Sequence, residues 1–383
     1  MVYLFKSSKK FAVSVVLILL TSLLFISTAG AQEFVEVPTS ESKKIVTNLE
    51  SLKILEDYLN TSYSLNASDY SIELEEGVYD ISGKKIAKYY VIKSINGKEY
   101  FAIISNDKEY STVFAGGENV EQILNLGNGN VKHYFVGGYT LVKANDHNQV
   151  IEYVKSKNSE LTTEDVKNTL SIQKNPNAVK QWDAALLENI STNAVGSYGS
   201  KLLPNTIFSQ FDSNVTPLNR NSSCGPSSMA VILQYWHDSR SKGKLQVYNA
   251  GYTTKGAFIN HLYQNRGGGL AGMSVNGVAS GLQNEAIARG YSATTSTFNN
   301  FFSYTNEIIN NRPVAVKFDK YFTLFEPNAD YSYNYHWTAG VGYVYSASST
   351  LLRVQTVSSN SYIRDIDYNS NSAIISMVGF TIN

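Results

Sequence analysis

Cysteine is all but missing from this chain of 383 residues, where Cys224 stands alone. One thiol excludes an internal disulfide, so the fold must rest on its apolar cores. Net charge is missing too, with 32 Lys and Arg against 32 Asp and Glu. Nothing therefore draws the chain to nucleic acid or to an anionic membrane surface. Only 17% of residues are charged, against 43% hydrophobic, a balance that reads as globular and not disordered. Ligand spacing for zinc is absent as well, so no metal or other cofactor is expected.

Long apolar runs are confined to one place. Lys6, Lys9 and Lys10 precede an apolar stretch from Phe11 to Ile26, and Ala29-Gly30-Ala31 follows with small residues. This is the pattern of a signal peptide over residues 1–31, with a mature start near Gln32. A retained membrane anchor is the alternative, disfavoured by the short run and the cleavage pattern behind it. The expectation is a secreted protein with no membrane association once the signal is removed.

The exported part divides in two. In residues 32–203, Ile45, Leu49, Leu52, Leu55 and Leu59 recur at helical spacing. Strand-like runs from Tyr89 to Ile95 and Tyr100 to Ser105 flank Asn96-Gly97, a hairpin signal. Tyr110 to Ala115 and His133 to Val142 read as further strands, giving a small α+β unit with an antiparallel sheet. Thr162 to Asp165 has the form of a helix start, and Val179, Trp182, Leu186 and Ile190 mark one face of a later helix. A linker rich in Ser, Gly and Asn runs from Ser191 toward Leu203 and sets the boundary of a second domain, 204–383.

In that domain the segment from Asn221 to Trp236 carries the chemistry. Met229, Ile232, Leu233 and Trp236 lie at i, i+3, i+4 and i+7, predicting a helix with one buried face. Pro226 is tolerated only in a first turn, which puts Cys224 at the helix N-terminus. Unpaired N–H groups and the positive end of the dipole there favour a thiolate and offer donors to an oxyanion. A lone cysteine is by default a small buried hydrophobe, but a structural one belongs on the Met229/Ile232 face and not at the tip. Of five histidines, His133 and His147 lie in the first region, His237 is more than three turns from Cys224 on the same helix, and His261 sits among polar residues. His336 opens the apolar run His336 to Val344 after a loop, and is the candidate base.

A Cys-Gly-Pro at a helix start, followed by His-Trp opening an apolar strand, resembles the papain-like cysteine peptidases. The likeness runs from about residue 205 to the C-terminus. It is nearest to the bacterial branch of bacteriocin-leader-processing peptidases and their secreted relatives, with streptopain more distant. The helix Val278 to Ala288 and the run Arg312 to Phe318 agree with that fold. The resemblance implies an α+β catalytic domain of two lobes, helical on the Cys side and an antiparallel sheet on the His side, preceded by the small α+β domain.

It also implies an oxyanion-hole amide, ordinarily Gln, shortly before the cysteine. Asn219 is the candidate, with Gln210 further upstream. A third member should orient the imidazole. If Ser346 to Thr350 is a turn, the strand Leu351 to Val357 returns Ser358 to Asn360 opposite His336. That makes Asn360 the geometric choice, with Thr356 and Gln355 as alternatives. The expected activity is hydrolysis of a peptide or protein substrate, with the first region as an intramolecular inhibitor removed by cutting the linker. A permanent binding domain is the rival reading of that region. Transglutaminases and cell-wall amidases also use Cys–His pairs, but their His follows sooner than the 336 − 224 = 112 residues here. A non-catalytic protein on a decayed peptidase scaffold is the other alternative.

Overall fold

A computed structural model describes residues 45–120, 123–157, 159–186, 199–319, 335–359 and 361–383. The expected signal peptide, linker residues 191–198, Ile190, most of the loop before His336 and Asn360 lie outside these residues. Residues 44–383 form one compact unit.

The first region opens with α1 (Asn48–Tyr63), held at its start by a capping box in which Thr47 and Glu50 exchange bonds. Its buried face is Ser51, Ile54, Leu55, Tyr58, Leu59 and Ser62. Leu49 and Leu52 are exposed, so the expected stripe is rotated around the helix. The cause is that two polar-tipped residues, Tyr58 and Ser62, take inward positions the apolar spacing assigned to leucines.

Strands β1 (Tyr70–Tyr79), β2 (Lys85–Ser94), β3 (Glu99–Ser105) and β4 (Val113–Glu118) form an antiparallel meander. The Asn96-Gly97 turn joins β2 to β3, with Gly97 in the left-handed region at φ +83°. After β5 (Leu124–Asn125), the run predicted as one strand from His133 is a hairpin, β6 (Lys132–Phe135) and β7 (Leu141–Ala144). Gly137 and Gly138 turn the chain between them with positive φ. Because β6 lies parallel to β1 and β5 parallel to β7, this part of the sheet is mixed, not purely antiparallel as expected.

Helices α2 (His147–Lys157), α3 (Thr163–Leu170) and α4 (Ala178–Leu186) follow. Thr162 caps α3 as the sequence predicts. On α4, Trp182 is fully buried and donates its indole N–H to the Tyr110 carbonyl at 3.0 Å, while Val179 is exposed.

Gly199–Leu202, within the expected linker, is strand β8. The second region then contains α5 (Cys224–Ser239), the small pair β9 (Val247–Tyr248) and β10 (Gly251–Tyr252), α6 (Lys255–Asn265), α7 (Val275–Ala288), β11 (Ala293–Phe298) and α8 (Phe301–Ile309). Strands β12 (Val314–Phe318), β13 (His336–Tyr345), β14 (Thr350–Gln355), β15 (Ile363–Asp367) and β16 (Ile375–Ile382) complete it. β13 is the long central strand. Its first half pairs with β12, and its second half with β8.

The sheet does not stop at the edge of this region. β15 pairs antiparallel with β4, so one path of strands runs β11-β16-β12-β13-β14-β15-β4-β3-β2-β1-β6-β7-β5. One apolar cluster likewise includes Phe101, Phe114 and Phe135 of the first region with Val354, Ile366 and the buried face of α5. The architecture is α+β, built on one mixed sheet.

Candidate active site

Helix α5 is buried along its whole first part, from Cys224 to Trp236. Met229, Ile232 and Leu233 are fully buried, each worth about 1.5–3 kcal/mol of burial. Ser228 ties α5 to β13 by donating its hydroxyl to the Thr338 carbonyl at 2.8 Å. This packing fixes the tip of α5 against the start of β13.

Cys224 is the first residue of the helix and is 1% exposed. Its sulfur accepts main-chain N–H groups from Trp337 and Gly225 as well as its own. Trp337 immediately follows His336, so the thiol lies against the strand mouth that His336 opens. Burial pushes the thiol up to about 11, against the pull of those N–H groups and of Lys317.

His336, 2% exposed, donates from Nε2 to the Thr356 carbonyl at 2.6 Å. That bond leaves Nδ1 as the nitrogen carrying the lone pair in the neutral ring. Burial lowers the imidazole to about 4, and the Thr356 carbonyl partly opposes the shift. Both groups are therefore neutral at physiological pH. Proton transfer from sulfur to imidazole is uphill in this closed state.

The group on Nε2 is a main-chain carbonyl. The strand pairing Ala339↔Gln355 does bring the end of β14 beside His336. The Thr356 side chain, however, shares a hydrogen bond with Ser358 and accepts one from the Tyr362 N–H. Gln355 is engaged elsewhere, accepting from the Phe208 N–H and donating to Asn205 and Thr206. Asn360, the sequence choice, lies outside the described residues. Val357 leaves the strand with φ +50°, a costly conformation for a β-branched residue, just where the chain presents the Thr356 carbonyl.

Asn219 sits in a short 3-10 helix, Pro217–Ser222, whose carbonyl groups face the Cys224 segment. The Asn219 carbonyl accepts the Ser222 and Ser223 hydroxyls at 3.2 and 2.7 Å. Among the described residues, no bond links its side chain to the sulfur. Gln210, the upstream alternative in the sequence, is the better anchored of the two. It is 1% exposed, donates from Nε2 to the Arg220 carbonyl at 3.1 Å, and gives its main-chain N–H to Val357 at 2.8 Å. It thus bridges the segment before Cys224 and the turn that holds His336. The signal was a glutamine between Phe208 and Phe211, a polar residue placed where apolar ones anchor the chain.

The segment from Gly267 to Met273 closes over the helix tip. The Tyr335 hydroxyl donates to the Ala271 carbonyl at 2.8 Å, and Trp337 Nε1 to the Met273 carbonyl at 2.9 Å. Gly272 has φ +75°, and a Cβ there would collide with the Tyr335 hydroxyl. Gly225 packs closely against Met273, which a Cβ there would approach to 3.0 Å. Lys317 lies 4.6 Å from the Tyr335 ring centre. Burial and the nearby Cys224 raise the Tyr335 phenol well above its ordinary value.

The other four histidines have separate duties. His133 meets Glu76 at 2.6 Å, His237 its neighbour Asp238, and His261 the buried Glu285, which two arginines also hold. His147 faces the turn at Gly83.

Residues 206–371 match the family model described as the Peptidase_C39 like family, a span that takes in Cys224 and His336. This match supports a papain-like cysteine peptidase family. No curated protein matches the chain. Within the peptidase-like span, the two expected reactive residues are the two that the fold brings to the tip of α5 and the mouth of β13.

Proposed function

We propose that this protein is a secreted bacterial cysteine peptidase, near the bacteriocin-leader-processing branch, that hydrolyses peptide bonds and is made in a latent form. The observation that carries the reading is a helix-tip thiol set against the main-chain N–H of Trp337, next in the chain to a histidine whose Nε2 is held by a carbonyl, leaving Nδ1 with the lone pair. In the open enzyme, Nδ1 of His336 takes the Cys224 proton and the thiolate attacks the substrate carbonyl carbon. Main-chain N–H groups at the tip of α5, with the amide of Asn219 or of Gln210, receive the oxyanion. The imidazolium then protonates the leaving amine. Water, activated by His336, cleaves the thioester and restores the thiol.

Latency follows from burial. A substrate needs the volume that Tyr335 and the 267–273 segment occupy, and the thiol at about 11 with imidazole at about 4 holds the proton on sulfur. The first region is the proposed intramolecular inhibitor. Its α1 accepts the Ser200 hydroxyl at the Thr61 carbonyl, and β8, which carries Ser200, grips the second half of β13. It thereby restrains the His336 strand. Processing is expected before Gly199, since cutting within β8 would require unpairing it from β13.

The test compares wild type with Cys224→Ala on a fluorogenic peptide library and by mass spectrometry of the secreted chain. Wild type should cleave and shorten; Cys224→Ala should do neither. Hydrolysis by Cys224→Ala would sink the peptidase reading. The neutral, closed pair also suits a decayed, non-catalytic scaffold. In that case Cys224 would stay inert to a thiol reagent even after the linker is cut.

A further inference from the structure

We propose that the first region is a permanent half of the enzyme and remains bound after the linker is cut, so that the mature form has two chains. The inference rests on the processing step of the proposed function and concerns what processing leaves behind. A removable inhibitor ordinarily covers a cleft that exists without it. Here the first region completes the sheet itself.

Three sets of contacts join the halves. β4 pairs with β15 through Gly117↔Arg364, Gly116↔Asp365 and Ala115↔Ile366. Removing β4 would leave β15 as a bare edge with unpaired main-chain groups and Ile366 uncovered. At the centre of this seam, the fully buried Asp365 forms two bonds with Arg353, at 2.8 and 3.0 Å. The Tyr58 and Tyr63 hydroxyls from α1 donate to the same carboxylate at 2.9 and 3.2 Å. Gly116 is the only kind of residue that fits beneath Tyr58, since a Cβ there would collide with its hydroxyl. Further along, the turn between β13 and β14 is captured from the other side. The Ser348 carbonyl accepts the Gln181 amide at 2.9 Å and the Thr112 hydroxyl, while Asp57 accepts the Ser346 and Ser348 hydroxyls. Arg364 reaches back from β15 to the Glu118 carbonyl at 2.8 Å and lies over the Phe101 ring.

These bonds are spread over α1, β4 and α4 and none belongs to the linker. Cutting the linker removes a covalent tether and leaves every one of them in place. Opening of the site must then be local, at Tyr335 and the 267–273 segment, and not the departure of a domain.

The experiment uses the full chain carrying Cys224→Ala, with a recognition sequence for an exogenous protease inserted between residues 191 and 198. After complete cutting, the two fragments should co-elute in size exclusion as a particle of the intact mass and separate only in denaturant. Elution of the C-terminal fragment alone, as a soluble monomer, would overturn the proposal. A second arm adds Tyr58→Phe together with Tyr63→Phe, which keeps the rings and deletes both hydroxyls. The cut double variant should release its first-region fragment at least tenfold faster on dilution, and an unchanged rate would overturn the Asp365 clamp. Because the catalytic thiol is absent throughout, failure here is distinct from failure of the peptidase reading.

Discussion

Two buried polar sites in one sheet are solved in opposite ways. At the seam between the regions, Asp365 and Arg353 are both charged and buried, and two tyrosine hydroxyls complete the carboxylate's coordination. At the mouth of β13, Cys224 and His336 are equally buried, and burial outweighs the pull of Lys317 on the thiol, so that both are held neutral. Burial penalises charge at both places. The seam answers with fixed partners, which suits a joint that must not move. The cleft leaves its charges unmade, which suits a site that becomes polar only when it opens to substrate and water.

The widest separation between the two sites should come from deleting the reactive atom. Cys224→Ala should lower kcat/KM on a cleaved peptide by about 10⁴-fold or more, since nucleophile and base act as a unit. Its unfolding midpoint should stay close to wild type. His336→Ala should be comparably inactive.

The seam should behave in the reverse sense. Asp365→Ala leaves Arg353 buried without its carboxylate and should cost about 3–5 kcal/mol of unfolding free energy, read by urea titration. A cost below about 1 kcal/mol would mean that water reaches the seam.

The cleft makes a pH prediction whose sign is fixed by direction. His336 titrates near 4 in the folded chain and near 6.5 when unfolded, so the unfolded chain binds more protons between those values. Its stabilising contribution is complete above about 6.5 and is lost as pH falls toward 4. The stability advantage of wild type over His336→Gln should shrink by about 3 kcal/mol from pH 7 to pH 4. Asp367, raised to about 6 by burial, has the opposite slope in the same range and is common to both proteins, so it cancels in the difference.

The smallest expected effect sharpens the idea of local opening. Tyr335→Phe deletes the hydroxyl bond to Ala271, worth about 1 kcal/mol, and should speed alkylation of Cys224 by about fivefold at fixed pH. Thr356→Ala should change turnover by less than about tenfold, because it is the carbonyl of that residue, not the hydroxyl, that holds His336.

Much of this was legible from local signals. Pro226 and the Met229, Ile232, Leu233, Trp236 spacing place Cys224 at a helix start, since a proline and a helical period act within one turn. Asn96-Gly97 and the Thr162 capping box work for the same local reason. Leu49 and Leu52 misled, because apolar spacing records which faces could be buried and not which one the sheet covers. The holder of His336 escaped for a related cause. Every residue has a carbonyl, so no side chain advertises Thr356.

By itself, then, the sequence determined the ends of the elements that carry Cys224 and His336 and the α+β class, all set by short-range geometry and side-chain type. Only tertiary structure decided that β4 joins β15, that β8 lies beside β13, and which tautomer His336 adopts. Those outcomes depend on main-chain groups met from far along the chain, 20 residues on for His336 and Thr356 and more than a hundred for the two strand pairings, and a main-chain N–H or C=O is the same at every position.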